Sequence, residues 1–586
     1  MNKSSVGDSA NHPSGQAAVA LLNEETLDAI QWNLLWEQWR PVTPLARAQK
    51  NRLQPFLPGD EQRWQGTYHL LQSDVHLLST VFLKEVRETL REMPDVREIL
   101  QRLWNMGAAA SAGIGMTQHL SARDMLVLKQ FAVYGQRLAA KLAGQMCGVS
   151  DEALWAGLLR PFGHPDEPSF AVQHIATSEY DEAAKAYSQV LHRRSEAIRK
   201  WSNHWQERLG VRPGRDGVIV CKLPGQAQLA ARLKETPEVT WQSDTPYEST
   251  FAVPPSLEMA GLQREIEGWQ QTMDAQAEGI LHRLTEQLLD VYDQWDEAVR
   301  QTIEVDLRAA KVVLWHQWGG CTPTPADVLS VTDAVHPLLA EKMAQQSRAY
   351  TPLTWSPEEG VNILTGLNMG GKTLSVRLLV TCQVCAQYGL PVPAQACSTR
   401  LYGAIRLYAA AAAPAESGLS SFGAEVLQMR DSLTGIENAR QPVFHCFDEP
   451  AKSTNPAEGE ALVVGLIESL QAAAPKHHLV VVTTHFSGAM RLRDIPKFRV
   501  RGLKNVNLPV AGDNEEFQED TQVLQQRLRL LAEAMDYRLE PVQSTELAQE
   551  GLRVASWLGL PKSVLQKSQR YLVEAAGTRN LRGNQR

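Results

Sequence analysis

Residues 366–373 read Gly-Leu-Asn-Met-Gly-Gly-Lys-Thr and satisfy G-x-x-x-x-G-K-[ST], the pattern that most narrows what this chain can fold into. An apolar, β-branched run at 361–365 precedes it, and an apolar stretch at 374–388 follows. A strand, a glycine-rich turn and a helix in that order gather backbone N–H groups at a helix N-terminus. The glycines there let a phosphate chain come close to the backbone. Gly366, Asn368, Met369, Gly370 and Gly371 are expected to form the cradle. Lys372 is expected to reach the β- and γ-phosphates and the Thr373 hydroxyl to bind Mg2+.

Two further strand ends fit the same chemistry. The run 443–447 ends in Asp448 and Glu449, which places one carboxylate at the metal and the next where it can polarise an attacking water. The run 479–484 ends in His485, placed to hydrogen-bond the γ-phosphate. With 404–408, these short apolar runs alternate with helical stretches. The expected fold is an α/β P-loop domain with a mostly parallel sheet.

The preceding half has a different texture. Apolar residues such as Leu71, Val75, Leu78 and Val86 recur at three- and four-residue steps, so 21–190 reads as helical, after a disordered tail at 1–20. Between His192 and Lys234 ten Lys/Arg face three acidic residues, in a chain whose net charge is −8. Arg193, Arg194, Arg199, Lys200, Arg208, Arg212 and Arg215 belong to this basic insert, 191–256, and are the candidate contacts to a polyanion or an acidic client. Residues 258–318 contain no proline. Leu262, Ile266, Trp269, Met273, Ile280, Leu284, Leu288, Val291 and Trp295 keep a near-heptad spacing there, which predicts one long helix within a segment 257–345. The α/β domain is expected over 346–510, an acidic insertion with a linker helix over 511–540, and a helical segment over 541–586.

Composition closes off other classes. An apolar fraction of 43% describes a folded chain, and no apolar run approaches the ~20 residues that span a bilayer. Seven cysteines, an odd number, and a polar N-terminus fit a reducing cytoplasm and no membrane. Cys382 and Cys385 lack a second pair and read as helix core, and His477-His478 reads as a loop pair.

Taken together, the motifs resemble the ATPase domain of the MutS family, a branch of the ABC-type ATPases. The resemblance rests on 365–373, Pro391-Val392-Pro393-Ala394, Gly418-Leu419-Ser420-Ser421-Phe422 with Glu425, Asp448-Glu449 running into Lys452, Thr454 and Gly459, and Thr483-Thr484-His485. His336-Pro337-Leu338-Leu339 upstream and Gly559-Leu560-Pro561-Lys562 downstream extend it. It implies ATP with Mg2+ and a homodimer, or a dimer with a related subunit, in which Ser420 and Ser421 reach the partner's nucleotide. It further implies an all-α lever region, a clamp-like insert and a C-terminal helix-turn-helix that dimerises. Tyr350 is placed to stack on adenine, as an aromatic does in relatives.

Departures shape the expected function. No Phe-x-Glu occurs ahead of the ATPase, so the chain is expected to lack the family's N-terminal mismatch-reading domain; Lys452 stands where an arginine is usual. The family resemblance leads to an ATP-gated clamp on mismatched or irregular duplex DNA. The segments Asn455-Pro456-Ala457-Glu458-Gly459 and Arg499-Val500-Arg501-Gly502-Leu503 look closest to MutS-like proteins associated with adenosylcobalamin-dependent lysine or ornithine aminomutases. They lead to the alternative, a reactivating chaperone whose client is an aminomutase.

Overall fold

The computed structural model describes residues 21–112, 118–146, 151–163, 167–366, 371–409, 421–473, 477–503, 530–531, 533–542, 551–558 and 560–583. The tail at 1–20, the acidic stretch at 513–520, Asn368, Met369, Gly370 and Ser420 lie outside them.

Short helices α1 (Glu24–Ala29), α2 (Trp32–Gln38) and α3 (Pro44–Lys50) lead into α4 (Glu61–Leu77), α5 (Thr80–Glu92), α6 (Arg97–Ser111), α7 (Ala122–Leu142) and α8 (Glu152–Leu159). Local chemistry starts several of them. Ser121 and Asp124 form a reciprocal capping box at α7, and the Ser79 and Asp151 side chains accept from the first turns of α5 and α8. Their apolar stripes close one core through Leu83, Val86, Leu90, Leu128, Phe131 and Trp155.

Next, α9 (Ser178–Leu209) runs out to a small unit made of β1 (Val218–Lys222), α10 (Ala227–Lys234), β2 (Thr240–Asp244) and β3 (Glu248–Ala252). These strands form an antiparallel sheet in the order β1-β3-β2. Helix α11 (Leu257–Asp290) returns against α9. At 1.5 Å per residue each arm is about 50 Å long. Trp201 and Trp205 are buried with Ile219, Phe251 and Leu262 where the arms meet the sheet, so they hold this unit together.

The single helix expected across 258–318 is two. Val291, at φ −109° and ψ 22°, ends α11, and α12 (Tyr292–Trp318) starts after it. The apolar stripe runs through the break because both helices bury the same kind of face. Trp295, Val305, Ala309 and Val312 of α12 enter the helical core that Leu284 and Leu288 of α11 also reach. Two buried polar anchors fix α12. Asp306 accepts from the Val42 and Thr43 backbone, and the Arg308 guanidinium grips Asp74 at 2.6 and 2.8 Å.

After α12 come β4 (Pro323–Pro325), β5 (Ser330–Ala334), α13 (Pro337–Gln345), β6 (Leu353–Trp355), β7 (Gly360–Thr365), α14 (Lys372–Gln387), β8 (Ala396–Thr399) and β9 (Ala404–Ala409). They are followed by α15 (Ser421–Glu437), β10 (Val443–Asp448), α16 (Pro456–Ala473), β11 (Leu479–Thr484), β12 (Lys497–Leu503) and β13 (Met535–Pro541). The main sheet has the order β13-β12-β7-β11-β10-β9; β12, β7, β11, β10 and β9 are parallel, and β13 is antiparallel at the edge. A second, four-stranded sheet takes the order β4-β8-β5-β6. The stretch 535–541, expected within a linker helix, is the strand β13, held to β12 by Arg499–Glu540 at 2.6 Å and Arg501–Glu540 at 3.0 Å. Helices Gly551–Trp557 and Lys562–Gly583 end the described chain.

Trp64 and Tyr68 of α4 help tie the helical core to the α/β module. The Trp64 indole donates to the Ala386 carbonyl at 2.9 Å, and the Tyr68 hydroxyl donates to those of Ala386 and Leu390 at 3.0 and 2.8 Å. These bonds satisfy the Ala386 carbonyl in the last turn of α14, the helix that begins at Lys372, and the Leu390 carbonyl just past its end.

Candidate nucleotide-binding site

The register of the sheet assembles the site. Thr365 at the end of β7 lies opposite Thr484 of β11, and Thr483 opposite Asp448 of β10. Gly366, Glu449 and His485 therefore leave the same sheet edge, the carboxyl end where open α/β sheets bind ligands.

The backbone around the loop is specialised. Gly366 and Gly371 have φ of 145° and 85°, conformations that side chains rarely adopt. A Cβ on Gly371 would stand 3.1 Å from the Tyr537 ring, so Tyr537 of β13 packs beside Gly371. Lys372 begins α14 with its ammonium 2.6 Å from the Gly366 carbonyl and 2.9 Å from Glu449 Oε1. Thr373, next on the helix, is partly exposed.

Around the carboxylates every contact is specific. The Thr483 hydroxyl donates to Asp448 Oδ1 at 2.9 Å and accepts from the Glu449 backbone N–H at 2.9 Å, fixing the turn after β10. Glu449 and Ala451 have φ of 52° and 58°, a left-handed backbone that costs a non-glycine residue ~1–3 kcal/mol. The strained turn directs the buried Glu449 carboxylate at Lys372, while Lys452 holds its other oxygen at 2.8 Å. Burial resists ionisation of Glu449. The hydrogen bonds from Lys452 and Lys372 outweigh it and hold the carboxyl below the ordinary glutamate range. Burial also lowers the His485 imidazole, against the pull of Glu449, so His485 is neutral near pH 7. Glu425 on α15 is buried beside Asp448 and Glu449 in a shared crevice, and its Oε2 has no hydrogen-bond partner among the described residues.

Of the residues expected to bind phosphate or metal, Gly366, Gly371, Lys372, Thr373, Asp448, Glu449 and His485 thus belong to one sheet edge. Ser421 opens α15 and is exposed. Sequence reasoning missed Lys452 as a ligand of Glu449, although three residues of separation after a strand was a usable signal. It also missed Tyr537, which no local pattern links to the loop. Tyr350 accepts a hydrogen bond from the His336 backbone N–H at 3.1 Å, which anchors its ring beside α13. His477 and His478 precede β11 outside any helix or strand, as read from the sequence; His478 is buried, and its Nδ1 accepts from the Val443 N–H at 3.1 Å. Cys382 and Cys385 are free and buried in α14, as read from their spacing.

On the basic insert the seven candidates divide. Arg193 pairs with Glu265 at 3.1 Å and Arg208 with Glu238 at 2.6 Å, bonds that brace the arm and the small unit. Arg199, Lys200, Arg212 and Arg215 are exposed and Arg194 partly so; none of the five has an ion-pair partner among the described residues. Among those residues, too, no helix is long and apolar enough to cross a membrane.

Residues 362–575 match the family model of MutS domain V. The chain is 27% identical over 278 residues to an endonuclease MutS2 of Carboxydothermus hydrogenoformans, a match covering 46% of this chain and 31% of the relative. It is 25% identical over 244 residues to a DNA mismatch repair protein MutS of Listeria welshimeri, covering 42% and 25%. An endonuclease MutS2 of Clostridium kluyveri matches over 325 residues at 24% identity, covering 55% and 38%. The chain therefore spans well under half the length of these relatives.

Proposed function

We propose, from the membership of this chain in the MutS family, that it is an ATPase whose nucleotide cycle opens and closes a dimeric clamp on irregular duplex DNA. The observation that carries the reading is the pairing of Lys372 with Glu449 at 2.9 Å, at the head of α14 and beside Asp448. A phosphate chain on the loop would draw the Lys372 ammonium away from Glu449. That frees one carboxylate oxygen to accept a proton from an attacking water, while Lys452 keeps the other in place. The Thr373 hydroxyl and the Asp448 carboxylate form the hard oxygen set that suits Mg2+, and they would hold it. Bound there, Mg2+ would neutralise charge on the phosphates. Neutral His485 can donate one hydrogen bond to a phosphate oxygen.

Two features support the mechanical part. The hydrogen bonds from Trp64 and Tyr68 join α14 to the helical core, and α9 with α11 carries the small sheet about 50 Å outward. Exposed Ser421 suits a second subunit's nucleotide, and exposed Leu560, Val564, Tyr571 and Leu572 suit helical dimerisation at the C-terminal end. The unpaired Arg199, Lys200, Arg212 and Arg215 suit a phosphate backbone.

A titration against homoduplex, mismatched and branched DNA, with and without a non-hydrolysable ATP analogue and at two salt concentrations, tests the proposal. Salt-steep, nucleotide-gated binding that weakens when Arg199, Lys200, Arg212 and Arg215 become Ala is expected. Affinity no better than the nonspecific ~10⁻⁴–10⁻⁶ M, unchanged by those substitutions, would remove DNA as the partner and leave a protein client to be sought.

A further inference from the structure

A second concave surface, on the helical part, carries charge of one sign. Between α5 and α12 lies a cavity of about 220 Å³ with Leu83 and Val313 at its base and Lys84, Arg87, Arg91 and His316 around it. Lys84, Arg87 and Arg91 are three and four residues apart and share one face of α5. Of the three acidic residues of α5, Glu88 and Glu92 line a separate cleft with Arg137 and Lys141 of α7, and Glu85 is exposed and makes no ion pair among the described residues. No carboxylate forms an ion pair with Lys84, Arg87, Arg91 or His316 among the described residues.

Ordinary structural roles account for only part of this cluster. Arg91 in the last turn of α5 and His316 in the last turn of α12 favour those helix C-termini. Arg87 and Arg91 are like charges at i, i+4, an arrangement that destabilises a helix. Half-buried Arg87 is held in place by donating to the Arg40 carbonyl at 3.1 Å. Asp306 lies on its inner side, but its oxygens are engaged by Val42 and Thr43. Cationic side chains kept together in a concavity, none of them ion-paired to a carboxylate among the described residues, fit an anion that arrives from solution.

We propose that the cavity between α5 and α12 binds a phosphate-bearing anion, separately from the nucleotide site. The flat guanidinium groups of Arg87 and Arg91 can each engage two phosphate oxygens, and Lys84 adds a point charge. The phosphate can belong to a free polyphosphate chain or to a nucleic-acid backbone, and the experiment separates these sources.

In the full-length protein carrying Lys372→Ala, which disables the loop ammonium, sodium tripolyphosphate is titrated by calorimetry and a short DNA duplex by fluorescence anisotropy. Both titrations are repeated with Lys84→Ala and Arg91→Ala added; these side chains are exposed, so the fold is expected to persist. A loss of about tenfold in tripolyphosphate affinity is expected for a free anion, and a similar loss for the duplex alone if the ligand is a backbone phosphate. Equal affinity of the two proteins for both probes, or no binding of either probe to the Lys372→Ala parent, overturns the proposal.

Discussion

Lys452 contributes through one bond, 2.8 Å to Glu449 Oε2, and that bond has a kinetic signature. With Lys452→Gln the carboxylate loses a cationic neighbour, and its proton affinity rises. The acid limb of the kcat profile is then expected to move toward neutral by about one pH unit. An unmoved acid limb would show that Lys452 does not tune Glu449. A second residue reports on the core of the sheet. His445 of β10 is buried, bonded to Ser432 at 2.7 Å, and pushed down to about 3 by burial, with Arg406 and His478 adding to the effect. The native protein keeps it neutral where the unfolded chain protonates near 6.5, so its contribution to stability is complete above pH 6.5 and is lost as pH falls toward 3. At pH 5 that loss is about 2 kcal/mol. His445→Gln escapes it, so the stability gap between variant and parent, measured by urea unfolding, is expected to shift by about this amount toward the variant between pH 7.5 and 5. A gap independent of pH would contradict the assignment.

At the scale of elements, α14 is the joint between the loop and the helical core, and its far end is held by α4. Tyr68→Phe removes the donor to the buried Leu390 carbonyl and should cost about 1–2 kcal/mol, read as a lower urea midpoint. An unchanged midpoint would mean that this end is satisfied in another way. The same scale shows what sequence could reveal. The strand and helix that flank the glycine-rich loop were legible because they follow one another within 360–387, and each depends on neighbours in sequence. The break at Val291 was not, because the apolar spacing records which faces are buried and not where a helix is interrupted. Nor was β13, whose place beside β12 is set by pairing across a distant stretch of chain. The packing of Tyr537 beside Gly371 was hidden for the same reason. The basic insert was legible as charge, but which arginines are neutralised depended on Glu238 and Glu265, brought in by the fold.

Across the whole molecule, the helical part and the α/β module share α12, which leaves the helical core and leads into the sheet region. Its buried Arg308–Asp74 pair holds α12 to α4, the helix that also contacts the end of α14. Asp74→Ala leaves the Arg308 guanidinium short of its partner and is expected to destabilise the fold by about 3–5 kcal/mol, measurable as a lower denaturation midpoint. On the proposed reading, hydrolysis beside Glu449 would act on the arms α9 and α11 through this packed framework. That account depends on Glu449 acting on water while Lys372 holds phosphate. The most direct measurement is ATP binding and single-turnover hydrolysis by Glu449→Gln beside the parent protein. Retained ATP binding with hydrolysis slowed by about 10²–10⁴-fold is the expected result. Hydrolysis at the parent's rate would contradict the central claim.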